Sequence, residues 1–262
     1  MRYINSSLKV PLLDAIDRFT IIELKSERLR DEKDRGAVQN EYDFFKKTLD
    51  AYRTEGVTIK DEWLRKMRDI NAKIWDVESD IRNGRRNNLN NEAVGHLAVK
   101  LRDLNDVRGK ERAAMVEEIQ DDFYELPPAL VPGADTSLKL PLHEAIDRLT
   151  IAELKVQRLA KDKNLPSFER ERAFYARVLD SYRADDGVDI KDGWLESMRD
   201  MNGRVWDEES AIRQGREKEF GLEAMGSRTL MLRDMSKERV GRKNKIAAEA
   251  GSNFYEVKTE VI

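Results

Sequence analysis

Over residues 91–123 the apolar positions Val94, Leu97, Leu101, Leu104 and Met115 fall on one side of a helix, and strict apolar–polar alternation is sustained nowhere in the chain. The pattern predicts helices at about 11–30, 40–52, 63–83 and 91–123, and again at about 141–161, 168–182, 194–214 and 222–254. Each set opens with a short β-compatible run, Leu8-Lys9-Val10 or Leu138-Lys139-Leu140. Pro11 or Pro141 follows, a residue suited to a first helical turn. The turns at 56–61 and 187–192 end in Asp61 and Asp192, side chains suited to N-capping.

The two sets are versions of one text. LKVPLLDAIDRFTIIELKSERL at 8–29 returns as LKLPLHEAIDRLTIAELKVQRL at 138–159, and later landmarks such as Trp63 and Trp194 keep an offset of about 131 residues. The stretch 126–137, LPPALVPGADTS, concentrates Pro and Gly and carries few charges. The expected organisation is a helical repeat over 1–126, a linker over 127–137 and a second repeat over 138–262. The expected fold class is mostly α: two tandem helical-bundle repeats with at most short strands, packed about a pseudo-two-fold axis as a homodimer of one unit would be, or else independent beads.

Polar residues fall where a helix should bury its face. Asn71, Trp75, Glu78 and Arg82 sit at i, i+4, i+7 and i+11, and Asn202, Trp206, Glu209 and Arg213 repeat them unchanged. Asp17, Thr20, Lys25 and Arg28 share an arc of the first helix, with Glu23 at its edge, and Arg108 falls on the apolar side of the fourth. One reading is structural: Glu78 and Arg82 have the spacing of an intrahelical ion pair, and a buried polar network can fix helix register. The other is a pocket. Asp17, Glu23 and Glu78 would hold a divalent cation such as magnesium, while Asp17, Lys25, Asn71, Trp75, Arg82 and Arg108 would line a site for a phosphorylated ligand. Helical nucleotide pyrophosphohydrolases use such chemistry, and Glu23 with Glu27 loosely imitates their paired-glutamate helix. Glu27, Asp80 and Asp106 become Gln157, Ala211 and Lys237 in the second half, so a metal site belongs to the first. Both Trp stripes are expected in the core.

Composition narrows the chemistry. At 262 residues and 40% hydrophobic the chain can bury two ordinary cores, and its 38% charged residues nearly cancel to −3, as in solvated helices laced with ion pairs. That balance disfavours nucleic acid, which needs a basic face. There is no cysteine, hence no disulfide, thiolate site or cysteine nucleophile; the two histidines, His96 and His143, do not correspond between the halves and supply neither a metal cluster nor a triad. The first residues lack the apolar core of a signal peptide and no apolar run is long enough for a bilayer, so a cytoplasmic protein without membrane contact is expected.

The string AIDR-T-I-x-ELK-x-x-RL, then INAKIWDVESDIR and LNDVRGKERAAM, resembles a small helical domain family of unknown function found in bacteria and their viruses. The matching polar positions are Asp17, Thr20, Glu23, Lys25, Asn71, Trp75, Glu78, Arg82, Asn105, Asp106 and Arg108. The family's second acidic residue after the Trp is Ser79 here and Ser210 in the second half, and the Asn-Asp pair stands only in the first. The resemblance implies a bacterial or phage origin and a helical fold. Two function classes follow from the residues: a non-enzymatic helical assembly or regulatory protein with a protein partner, itself able to oligomerise, or a metal-assisted protein that binds or hydrolyses a phosphorylated small molecule.

Overall fold

Pro11 and Pro141 each stand one residue ahead of a helix, and their carbonyls accept its first bonds, from the N–H groups of Ala15 and Ala145 at 2.9 Å. In this computed structural model residues 10–28, 32–54, 56–84, 87–119, 140–213 and 217–252 are described. They form α1 (Leu12–Arg28), α2 (Glu32–Thr54), α3 (Asp61–Asn83), α4 (Asn91–Ile119), α5 (Leu142–Arg158), α6 (Leu165–Asp185), α7 (Asp192–Arg213) and α8 (Glu217–Glu249). No strand occurs among the described residues. Residues 8, 9, 138 and 139 of the expected short runs, and the expected linker at 127–137, lie outside them. Val10 and Leu140 do lie inside, and their carbonyls accept from the hydroxyls of Tyr52 and Tyr182, both at 2.9 Å.

Several boundaries differ from the sequence expectation. The second helix of each half starts earlier, at Glu32 and Leu165 rather than near 40 and 168. Its leading stretch at 32–39, EKDRGAVQ, is charged and holds Gly36, so it carries little of the apolar period that marks a helix. Asp61 is not an N-cap but the first residue of α3. Lys60 takes the cap position without a side-chain bond, and Asp61 and Asp192 instead place negative charge in the first turn. The fourth helix is shorter than predicted in the second half. It ends at Glu249 because Gly251, at φ +68, closes it with reversed bonds, Gly251 N–H to Ala248 O at 3.1 Å and Ser252 N–H to Ala247 O at 2.9 Å. Near its start Gly221 (φ 74, ψ 161) breaks α8, and the long helical run begins at Leu222.

The halves are not independent beads. One contiguous core includes Leu12, Ile16, Trp63 and Met67 together with Ile146, Leu179, Trp194, Met198 and Ile246. Within each half the first helix packs on the second and third, and the third on the fourth; between halves α4 lies along α8 in the most extensive helix pairing of the molecule. That crossing depends on two glycines. A side chain at Gly95 would fall on the carbonyl of Leu222, and one at Gly226 on the carbonyl of Asn91. The contact is reciprocal and antiparallel, as a two-fold relation between the helices requires. Among the described residues no helix is long and apolar enough to cross a membrane.

Candidate functional site

The first turns of α1 and α5 are buried on every side. Residues Leu12 to Asp17 and Leu142 to Asp147 are all enclosed, so the acids Asp14, Asp17, Glu144 and Asp147 lose water and must find partners inside. In the first half Asn71 donates from Nδ2 to Asp17 Oδ1 and to Thr20 Oγ1, both at 2.9 Å. Arg112 of α4 then bridges the two acids, to Asp17 at 2.9 Å and to Asp14 at 2.6 Å, and Arg108 reaches Asn71 Oδ1 at 3.4 Å. In the second half Asn202 donates to Asp147 Oδ1 at 3.0 Å and to Thr150 Oγ1 at 2.8 Å. Arg239 grips both Asp147 oxygens, at 3.0 and 2.6 Å, and Lys243 bonds Glu144 at 2.5 Å while lying 3.7 Å from Asp147. Asn202 Oδ1 is left without a donor among the described residues.

The two clusters touch. Arg18 of α1 donates to Glu144 of α5 at 3.2 Å, and the Tyr175 hydroxyl of α6 to Asp14 at 3.3 Å. Burial pushes the Asp14 carboxyl up, but the Arg148, Arg112 and Arg18 charges outweigh it and hold Asp14 well below the ordinary range. Glu144 is lowered in the same way, burial being overcome by Lys243 and Arg18, and so is Asp147, by Arg239 and Lys243. Burial lowers Arg112 and Arg148, yet the surrounding acids raise both above the ordinary arginine value. All of these groups are therefore charged at neutral pH. Between them the packing leaves a cavity of about 10 Å³, bordered by Asp14, Arg18, Glu144 and Arg148, with room for at most one water.

Of the residues singled out in the sequence, Asp17, Thr20, Asn71 and Arg108 are brought together. The others are not. Lys25 is buried against Glu41 at 3.2 Å, as Lys155 is paired with Glu171 at 2.8 and 2.7 Å. Glu23 lies 3.4 Å from Arg68, which also holds Glu27 at 2.6 Å. Glu78 is exposed and takes Arg82 in the i,i+4 pair, at 3.3 Å. The carboxylates of Asp17, Glu23 and Glu78 thus answer three separate cations, and among the described residues no three acidic or histidine side chains are grouped to hold a metal ion. Trp75 is buried, with Arg82 and Arg28 over its ring at 5.7 and 5.8 Å. Trp206 departs from the expectation: it is half-buried, with Arg213 over it at 5.8 Å. The stripe tilts out of the core along the helix, so a polar residue on it is enclosed at Asn71 and open at Glu78.

Sequence reasoning missed Asp14, Arg18, Arg112, Glu144, Arg148, Tyr175 and Lys243. A signal was present in two of these positions: Asp14 and Arg112 become Glu144 and Lys243, a shorter acid with a longer base exchanged for a longer acid with a shorter base. Arg18 and Arg148 correspond across the halves and sit one residue after the acids Asp17 and Asp147.

Compared with known proteins, the chain matches no family model, and neither a curated protein nor a solved structure matches it significantly.

Proposed function

We propose that this chain is a non-enzymatic helical assembly or regulatory protein that acts by binding another protein, with the ionic centre as the device that joins its halves. The observation that carries the reading is the occupancy of the carboxylates. Asp17 is held by Arg112, Glu23 by Arg68 and Glu78 by Arg82, so the acids a metal–phosphate site would draw on are already paired with cations of the chain itself, as are Asp14 with Arg112 and Asp147 with Arg239. Buried ion pairs with complementary hydrogen bonds are suited to fixing one arrangement of helices.

The test has two arms. Purified protein incubated with magnesium and a panel of nucleoside triphosphates and sugar phosphates is expected to show no turnover, and magnesium alone no rise in melting temperature. Magnesium-dependent hydrolysis that is lost in Glu23→Gln would overturn the reading in favour of a phosphohydrolase. In cells, cross-linking of the full chain followed by mass spectrometry should return one dominant protein partner; recovery of the uncrosslinked chain alone counts against it.

A further inference from the structure

Between α5 and α7 an open groove of about 500 Å³ runs over Thr150 and Gly203, with Gln157, Arg158, Arg199 and Arg204 on its walls. The equivalent positions in the first half are Thr20, Ala72, Glu27, Arg28, Arg68 and Lys73. There Arg68 reaches across the gap: its Nη2 bonds both oxygens of Glu27, at 2.7 and 2.6 Å, and its Nη1 lies 3.4 Å from Glu23. The first half therefore shows what this arginine does when an oxyanion stands opposite it. In the second half that carboxylate is gone, because Gln157 replaces Glu27. Arg199 lies back along Glu153, using Nε at 2.7 Å and Nη2 at 3.0 Å, and its Nη1 has no hydrogen-bond partner among the described residues. Gly203 in place of Ala72 removes a methyl from the floor.

We propose that the groove between α5 and α7 binds a small oxyanion, a phosphate or carboxylate head group, on Arg199, in the place that Glu27 takes on Arg68. Arg158 and Arg204 flank it from the two helices. Both are held by exposed acids, Arg158 by Asp207 and Arg204 by Glu238 at 3.4 Å with Asp200 of the groove wall at 4.0 Å, and exposed ion pairs of this kind give way readily to a better-placed anion. Arginine presents its donors as a planar fork matched to two oxygens of such a head group. Gln157 contributes an amide instead of a repelling charge, and a groove of this volume has room for the substituent the head group carries. The site needs no metal and is independent of the ionic centre, so it goes beyond the protein-binding reading and does not stand or fall with it.

Titration calorimetry on the full chain at constant ionic strength tests it, with inorganic phosphate, a sugar phosphate, a dicarboxylate and chloride as the arms. One saturable site is expected for phosphate or carboxylate ligands and none for chloride, and the tighter of the two names the head group. Gln157→Glu installs the first-half residue and should weaken binding at least tenfold by drawing Arg199 across the groove. Glu27→Gln should add a second site, raising the stoichiometry from one to two. If Gln157→Glu fails to fold, Arg199→Gln, at an exposed position, supplies the same tenfold loss. A response no different from chloride, or one that survives both Gln157→Glu and Arg199→Gln, overturns the proposal. Absence of magnesium-dependent turnover has no bearing on this result, so the two readings fail separately.

Discussion

The two halves solve one electrostatic problem with different side chains. In the first, the long guanidinium of Arg112 spans Asp14 and Asp17 at once, which frees Arg108 for a bond to Asn71 at 3.4 Å. In the second, Lys243 offers a point charge, bonds Glu144 and remains 3.7 Å from Asp147. Arg239 must then take Asp147 with two bonds, and Asn202 Oδ1 loses the donor that Asn71 has. What the halves share is the spacing of the helices and the sum of side-chain lengths across it.

The largest effect that would test this comparison is acid. The carboxyls of Asp14, Glu144 and Asp147 titrate below their ordinary values of 3.8 and 4.5 when folded, so the unfolded chain binds more protons in acid. Their contribution is complete at neutral pH and declines as pH falls through about 4.5 and below. Urea melts across that range should show it, and Asp14→Asn and Glu144→Gln should each flatten the decline. A profile changed by only one of them would show that the halves do not share the load.

Next come single truncations of the centre. Asp147→Ala leaves Arg239 and Lys243 without their shared acid and should cost about 3 to 5 kcal/mol, whereas Asp17→Ala leaves Arg112 its bond to Asp14 and should cost less. Equal costs in denaturant melts would break the contrast between the two arrangements. The tryptophans sharpen it from the apolar side. Trp75→Ala should cost about 3 kcal/mol, and Trp206→Ala clearly less because that ring is half-exposed. The smallest effect is expected from restoration. Asp14→Glu and Arg112→Lys should each destabilise alone, while the pair made together recreates the second-half arrangement and should fall within about 1 kcal/mol of the original. Additive costs would refute the length exchange.

Much of the fold could be read from spacing. Proline and turn signals, with the apolar period of the fourth helix, placed a helix at each of the eight elements found among the described residues. The start of α2 was hidden because its first turns carry charge in place of an apolar pattern. The site was only half legible for a related reason. Asn71, Asp17 and Thr20 lie on helix faces that periodicity marks as inward. Arg112 and Lys243 differ between the halves, and a search for retained residues passes over them. Whether a carboxylate meets a metal or an arginine depends on which helix crosses it, and that is set by the α4–α8 and α1–α4 packing. Local sequence does not encode it. Gln157 became informative only beside the Arg68–Glu27 bond that its counterpart makes.

The glycine crossing of α4 and α8 sets how these parts can move. At Gly95 and Gly226 each helix rests on the carbonyl of the other, so the pair cannot approach further and can only turn about that point. From Gly95 to Arg112 is roughly 26 Å along the helix axis at 1.5 Å per residue. A turn of one degree thus carries the guanidinium by roughly 0.5 Å, a displacement that a 2.6 Å bond to Asp14 feels at once. The crossing is a fulcrum and the ionic centre its latch: with both engaged the angle between the two long helices is fixed, and protonation of the acids would release it at the end with the longest arm.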